Sequence, residues 1–208
     1  MYISCEDILR RYFKSVPGIL IEACRFSKRM LGEGSHGYSH TLRVLAISLY
    51  IGTKENADLE VLALASILHD IARPLEDKGI VKDHAEEGAK IAIDFLTKLG
   101  YRKAGEVAHA IEVHRFSKGR KPITLEAKIL SDADKLDALG AIGIARVFMY
   151  SGEHNRSIED SIRHFEEKIL KLKDLMYTRT GKEIAEERHR IVEWYLHALK
   201  RELTEFLR

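Results

Sequence analysis

The sequence predicts an all-α fold, and two observations carry that prediction. Apolar residues recur at helical spacing along almost the whole chain, and no stretch alternates apolar and polar residues as a half-buried strand would. The stretch from Val61 to Leu68 is apolar on nearly every side before it runs into His69-Asp70-Ile71-Ala72. A helix apolar all round is normally an interior one.

Each element can be justified in turn. A first helix is expected over residues 8–30, interrupted near Pro17-Gly18, with a loop at Gly32-Glu33-Gly34-Ser35-His36-Gly37 after it. A second, residues 38–55, carries His40 in its first turn. Asp58 is placed to cap the next helix, which holds the His69-Asp70 pair near its C-terminal end. That helix should stop at Arg73, because Pro74 disfavours helical geometry in the residue before it. Asp83 and Glu86 have the spacing of a capping box for a helix that runs to about residue 99 and ends at Gly100. A further helix spans residues 103–114, and a basic loop follows from Arg115 to Pro122. Residues 125–150 read as one long apolar helix containing Asp132, Asp134 and Asp137. Its Gly140-Ala141-Ile142-Gly143-Ile144-Ala145 segment offers small residues that permit close helix approach. Two amphipathic helices, residues 158–176 and 181–207, finish the chain, the last with a capping box from Thr180 and Glu183. With no internal repeat, the simplest organisation is a single all-helical domain over residues 1–208. Its core is about residues 36–150, and the C-terminal helices of residues 156–208 pack on it.

Composition narrows the function. The 208 residues suffice for one substantial core, and 45% hydrophobic content argues for a globular chain. Lys and Arg (34) nearly balance Asp and Glu (32), which argues against a dedicated nucleic-acid binder. Cys5 and Cys24 lack metal-ligand spacing, so no disulfide scaffold is expected and the cysteines read as reduced. The first residues lack the pattern of a secretory signal, and no apolar run is long enough to span a bilayer. A soluble, cytoplasmic protein is expected, with no membrane partner and a homodimer left open.

The chemistry lies in polar groups set into apolar helices: His40, His69, Asp70 and Asp134. An unpaired carboxylate buried there would cost several kcal/mol. A divalent cation held by imidazoles and carboxylates offsets that cost, and ligands from several helices meeting in a bundle core commonly assemble such a site. The competing account, a buried polar network with no ion, leaves the carboxylates uncompensated. Glu-x-x-His occurs at Glu33/His36 and Glu186/His189, the spacing of di-iron carboxylate bundles. The first copy lies in a glycine loop and the second among charges, so that fold is set aside. His36, His109, His154, His164, His189 and His197 read as structural or surface residues, and Asp132 as a helix-surface or loop-anchoring acid.

His40, then Leu68-His69-Asp70-Ile71, then Asp132-Ala133-Asp134-Lys135-Leu136, in that order, resembles the HD superfamily of metal-dependent phosphohydrolases. The resemblance covers roughly residues 36–150 and implies an HD-domain helical bundle with a metal site in its core. The family's ligands map onto His40, His69, Asp70 and Asp134. The segment from Asp132 to Arg146 is similar to small stand-alone HD hydrolases associated with nucleotide pyrophosphohydrolase or phosphatase activity. The resemblance therefore implies a phosphorylated small-molecule substrate, a nucleotide foremost, and a divalent ion among Mn, Ni, Co, Fe, Mg and Zn. Some branches bind two ions bridged by the dyad aspartate, using further histidines, for which His84 and His114 are the candidates. One large binuclear branch has paired histidines where Arg115 follows His114 here, so one ion is preferred and two remain open. The implied reaction is metal-assisted hydrolysis, with Asp70 orienting a water and His84 or His114 protonating the leaving oxygen. Lys135 and Arg115 are candidates for phosphate contacts and Asp137 for orienting a ligand or a sugar. Two other functions compete: an HD-type di-iron oxygenase and a non-catalytic nucleotide-binding regulatory module.

Overall fold

The computed structural model describes residues 4–32, 37–115, 119 and 121–206. The Glu33/His36 pair and the basic-loop residues 116–118 and Arg120 lie outside the described residues. The regular elements are all helical among the described residues. In order they are α1 Cys5–Arg10, α2 Gly18–Met30, α3 Tyr38–Glu55, α4 Leu59–Leu68, α5 Arg73–Asp77 and α6 His84–Lys98. There follow α7 Ala104–Val113, α8 Leu125–Asp137, α9 Gly140–Glu153, α10 Ile158–Glu167, a 3₁₀ segment Ile169–Leu175 and α11 Arg179–Thr204. None of these helices is long and apolar enough to cross a membrane.

The chain forms two compact units, Met1–Asp134 and Lys135–Arg208. In the first, α4 is the central element, and α2, α3 and α7 pack on it. Every residue from Val61 to Leu68 is buried, as an all-round apolar sequence requires. Asp58 caps α4, its carboxylate accepting from the backbone N–H of Glu60 at 3.0 Å and of Val61 at 3.1 Å. α6 lies against α7 and carries Gly88, where a β-carbon would rest 3.5 Å from both the His69 carbonyl oxygen and a methyl of Ile111. The small residue thus brings α6 close to the backbone of the His69-Asp70 turn.

Several local expectations are corrected. The first helix is interrupted at Pro17-Gly18 as expected, but it starts earlier, at Cys5, and the break is longer, the chain leaving helical geometry after Arg11 and reversing before it re-enters after Pro17. That reversal brings Cys5 beside Cys24, and the two form a disulfide rather than the reduced pair expected. Ser4 with Asp7 and Ser157 with Asp160 form capping boxes in which aspartate does the work usually given to glutamate. α11 starts at Arg179 and is capped by Thr178, whose hydroxyl accepts from the Gly181 N–H at 3.0 Å, so Thr180 is not the cap. The segment expected as one helix over residues 158–176 finishes as a 3₁₀ segment.

The long helix expected over residues 125–150 is also broken, between α8 and α9. Gly140 adopts φ +70°, a left-handed conformation that glycine reaches without steric cost. The Arg188 stem lies over it: a β-carbon there would sit 3.1 Å from Arg188 Cγ. Arg188 Nη1 donates to the Leu136 carbonyl at 2.6 Å, satisfying an acceptor that the end of α8 leaves open. The chain doubles back so tightly that a β-carbon at Gly143 would overlap the Ala138 carbonyl. Gly143→Ala should therefore lower the unfolding free energy by about 1–3 kcal/mol, the usual cost of overpacking, measured by urea denaturation. Wild-type stability in that variant would show that the α8–α9 turn is looser than described.

Candidate metal centre

Four histidines and two aspartates of the first unit converge. His40 is the third residue of α3, and His69-Asp70 form the turn immediately after α4. His84 is the first residue of α6, His114 directly follows α7, and Asp134 lies on α8. All four imidazoles and the Asp70 carboxylate are buried, whereas about 34% of the Asp134 side chain is open. The neighbours of Asp70 divide between its two oxygens. Oδ2 lies 3.6 Å from His40 Nε2 and 3.5 Å from His69 Nε2. Oδ1 lies 3.2 Å from His84 Nε2 and 3.8 Å from His114 Nε2. Asp134 Oδ1 is 3.3 Å from His40 Nε2, and the Nε2 atoms of His40 and His69 are 3.3 Å apart.

The outer ring nitrogens are committed elsewhere. His69 Nδ1 lies 2.8 Å from the Ser66 carbonyl oxygen, and His114 Nδ1 lies 2.6 Å from that of Ile111. His84 Nδ1 lies 2.7 Å from Glu76 Oε2. Each outer acceptor calls for a proton on Nδ1, which in the neutral ring leaves Nε2 as an inward lone pair.

The electrostatics lead the same way for Asp70, Asp134 and His114, and the opposite way for His84. Burial works to raise the Asp70 pKa, but the charge of His69 and the hydrogen bond from His84 hold it well below the usual carboxylate range. Asp134 behaves likewise: burial opposes ionisation, and the hydrogen bond and charge of His40 outweigh it. Burial pushes His114 down to about 4, with His69 adding to the effect. His84 goes upward, because its hydrogen bonds and charges with Asp70 and Glu76 overcome its burial.

This donor set fits a divalent cation. Metal ligands must be deprotonated, and both aspartates are held ionised while His114 is held neutral. The facing Nε2 atoms of His40 and His69 can share at most one proton between them, so at least one lone pair points inward. The donors fall into two groups close enough to hold an ion: His40, His69 and Asp134 on one side, and Asp70, His84 and His114 on the other.

Of the residues singled out in the sequence, Arg115 lies at the edge of this cluster and donates to Glu76 Oε1 at 2.6 Å. Lys135 and Asp137 lie in the second unit. The Lys135 ammonium stands 4.9 Å from the Tyr177 ring centroid, and Asp137 accepts from Arg146 at 2.9 Å. Asp132, expected at a surface or as a loop anchor, is fully buried. His189, expected on an exposed face, is buried and lies 3.1 Å from Glu193. The sequence reading missed Glu76. It sits on the short helix α5, beyond the proline at which the preceding helix was expected to stop. An acidic residue shortly after the dyad, with an arginine beside His114 to pair with it, was the available signal.

Known proteins resemble this chain in sequence and in fold. The HD domain family model matches residues 37–139. YpgQ of Bacillus subtilis is 32% identical over 187 residues, covering 82% of this chain and 86% of its own. The crystal structure of that protein in complex with ADP superposes with a TM-score of 0.71, covering 86% of this chain and 97% of YpgQ. A protein from an uncultured Thermotogales bacterium, described as a predicted HD superfamily hydrolase, is 32% identical with a TM-score of 0.67. That match covers 89% of this chain and 92% of the other.

The depressed His114 pKa sets a pH dependence for the metal-free protein. The unfolded chain takes up a proton near 6.5 and the folded one only near 4. Between those values the unfolded state binds more protons, so folding loses stability as pH falls through that window. Urea denaturation from pH 7.5 to 4.5 should show wild type losing up to about 1.4 kcal/mol per pH unit relative to His114→Gln. Parallel curves for the two proteins would mean that His114 titrates normally.

Proposed function

This chain belongs to the HD-domain family, and we propose on that footing that it is a metal-dependent phosphohydrolase acting on a phosphate ester or phosphoanhydride of a nucleotide. The observation that carries the reading is the division of Asp70 between two sets of imidazoles, Oδ2 toward His40 and His69 and Oδ1 toward His84 and His114. That division favours two divalent ions sharing Asp70 over the single ion preferred from the sequence. His40, His69 and Asp134 would hold one and His84 and His114 the other. Divalent ions bound there would polarise a phosphoryl oxygen, acidify a water and neutralise developing charge.

The chain's own residues then have distinct roles. Asp70 keeps the two sets of donors in register. His84 and His114 are ligands in this reading rather than general acids; His114 is already held neutral, whereas at His84 a bound cation would take the place of the proton that Asp70 and Glu76 favour. Arg115, with 28% of its side chain open, is the cation available for a phosphate oxygen, and its planar fork suits two oxygens at once. Support for a nucleotide comes from the ADP bound by YpgQ, 32% identical to this chain.

The test is a panel of nucleoside mono-, di- and triphosphates and a simple aryl phosphate, each with Mn, Mg, Ni, Co and Zn. Phosphate and pyrophosphate are measured separately. Wild type should release one of them from a nucleotide, and Asp70→Ala should reduce the rate by more than about a hundredfold. Equal product from both proteins, or oxygen uptake by iron-loaded protein in place of hydrolysis, would overturn the reading.

A further inference from the structure

We propose that Glu76 is the positioning residue of this site, its one carboxylate orienting both a metal-ligating imidazole and the cation that meets the substrate phosphate. The inference rests on the reading of the His/Asp cluster as a divalent-metal centre, and it adds to that centre a residue outside the family's ligand pattern as mapped onto this chain.

The argument begins with where each histidine sits on its helix. His69 and His114 each follow the last residue of a helix, α4 and α7. A carbonyl one turn back, that of Ser66 or of Ile111, is therefore in reach of Nδ1. His84 has no such neighbour, because it opens α6 and Asp83 before it is extended, with φ −150° and ψ 109°. A histidine at a helix start must find its Nδ1 acceptor in another element, and α5, which packs against α6, supplies one. Glu76 Oε2 stands 2.7 Å from His84 Nδ1, at the short end of the range for hydrogen bonds between charged partners. With that nitrogen committed, Nε2 faces Asp70 Oδ1 at 3.2 Å. A carboxylate behind a ligating imidazole fixes its tautomer and raises its basicity, so His84 receives a stronger push than the carbonyl-backed His69 and His114.

The second oxygen of the same group holds a different partner. Glu76 Oε1 accepts from Arg115 Nη1 at 2.6 Å, and Arg115 is the residue after His114. Asp83, the N-cap of α6, has Oδ1 3.8 Å from the same guanidinium nitrogen, and Arg73 approaches Glu76 Oε2 at 3.8 Å. Glu76 is thus placed between the ligand on α6 and the phosphate-contacting group that follows α7, with only 18% of its side chain open to solvent.

Calorimetric titration of metal-free protein with Mn(II), paired with steady-state kinetics on a nucleotide, separates the two roles. Wild type should bind two ions. Glu76→Ala should weaken one of them by about 10–100-fold, the usual effect of losing such an outer partner, and leave the other nearly unchanged. Glu76→Gln keeps an amide oxygen for His84 but turns its N–H donors toward Arg115. It should retain both ion affinities within about threefold while raising KM with little change in kcat. Arg115→Ala should raise KM in the same way and bind both ions as wild type does. Should the alanine variant fail to fold, Glu76→Asp, which withdraws the charge by one methylene, takes its place and should weaken the same ion. Two ions bound normally by Glu76→Ala, both ions weakened alike, or a single ion in wild type would overturn the assignment. Two ions in wild type without turnover of any phosphate would remove the proposed activity and leave the role of Glu76 to be decided by the titrations alone.

Discussion

A carboxylate almost withdrawn from water, with four imidazole nitrogens between 3.2 and 3.8 Å of its oxygens, is the constraint around which the first unit is arranged. Asp70 cannot be moved to a surface, because it lies in the turn that ends α4, the most thoroughly buried helix of the unit. Nor can the chain neutralise it by protonating every surrounding ring. His40 and His69 face each other with room for one proton at most, and His114 is held neutral. Protonated rings therefore supply only part of the positive charge, and lone pairs converging on a small volume are what a divalent ion requires.

Helix ends make such an arrangement affordable in backbone terms. The last turn of a helix leaves carbonyls without intrahelical partners. At α4 and α7 carbonyls of the last turn lock the rings of His69 and His114, so an unsatisfied acceptor and an unoriented imidazole solve each other's problem. The same two termini present the negative ends of their helix dipoles to the cluster, which favours a cation there. His40 and His84 come from helix starts, where the dipole has the opposite sign. For His84 the compensation is local and ionic, in Glu76 and Asp70 on either side of the ring.

What could be read in the sequence was what depends on local pattern. The interior character of α4 follows from its unbroken apolar run, and the order of His40, His69-Asp70 and Asp134 along the chain, on α3, after α4 and on α8, marked the candidate centre. The misses share a different cause, dependence on contacts remote in sequence. Asp132 looks like an ordinary polar helix position until its helix is seen to bury that face. The break after Asp137 involves Arg188, which covers Gly140 and binds the carbonyl of Leu136, fifty-two residues before it. Cys5 and Cys24 have no telling spacing, and only the reversal between α1 and α2 places them together. Glu76 follows a proline that reads as a stop, yet Pro74 sits in the first turn of α5, where a missing N–H costs nothing.

In the two-ion reading proposed above, Arg115 takes on a role other than that of a missing ligand. Its presence after His114, in place of a second histidine, favoured one ion on the grounds that the second set of ligands was short by one. In the folded chain the donor comes from another helix: His84 Nε2 reaches Asp70 Oδ1 at 3.2 Å, closer than His114 at 3.8 Å. Arg115 is meanwhile turned to Glu76, which also backs His84. A histidine at that position could carry the charge of neither a ligand's counter-ion nor a phosphate clamp at neutral pH without losing its own lone pair. An arginine, always protonated, holds both the carboxylate and a place for an anion. On the two-ion reading, an arginine after His114 is thus compatible with His84 and His114 as ligands and gives the site edge a fixed positive charge.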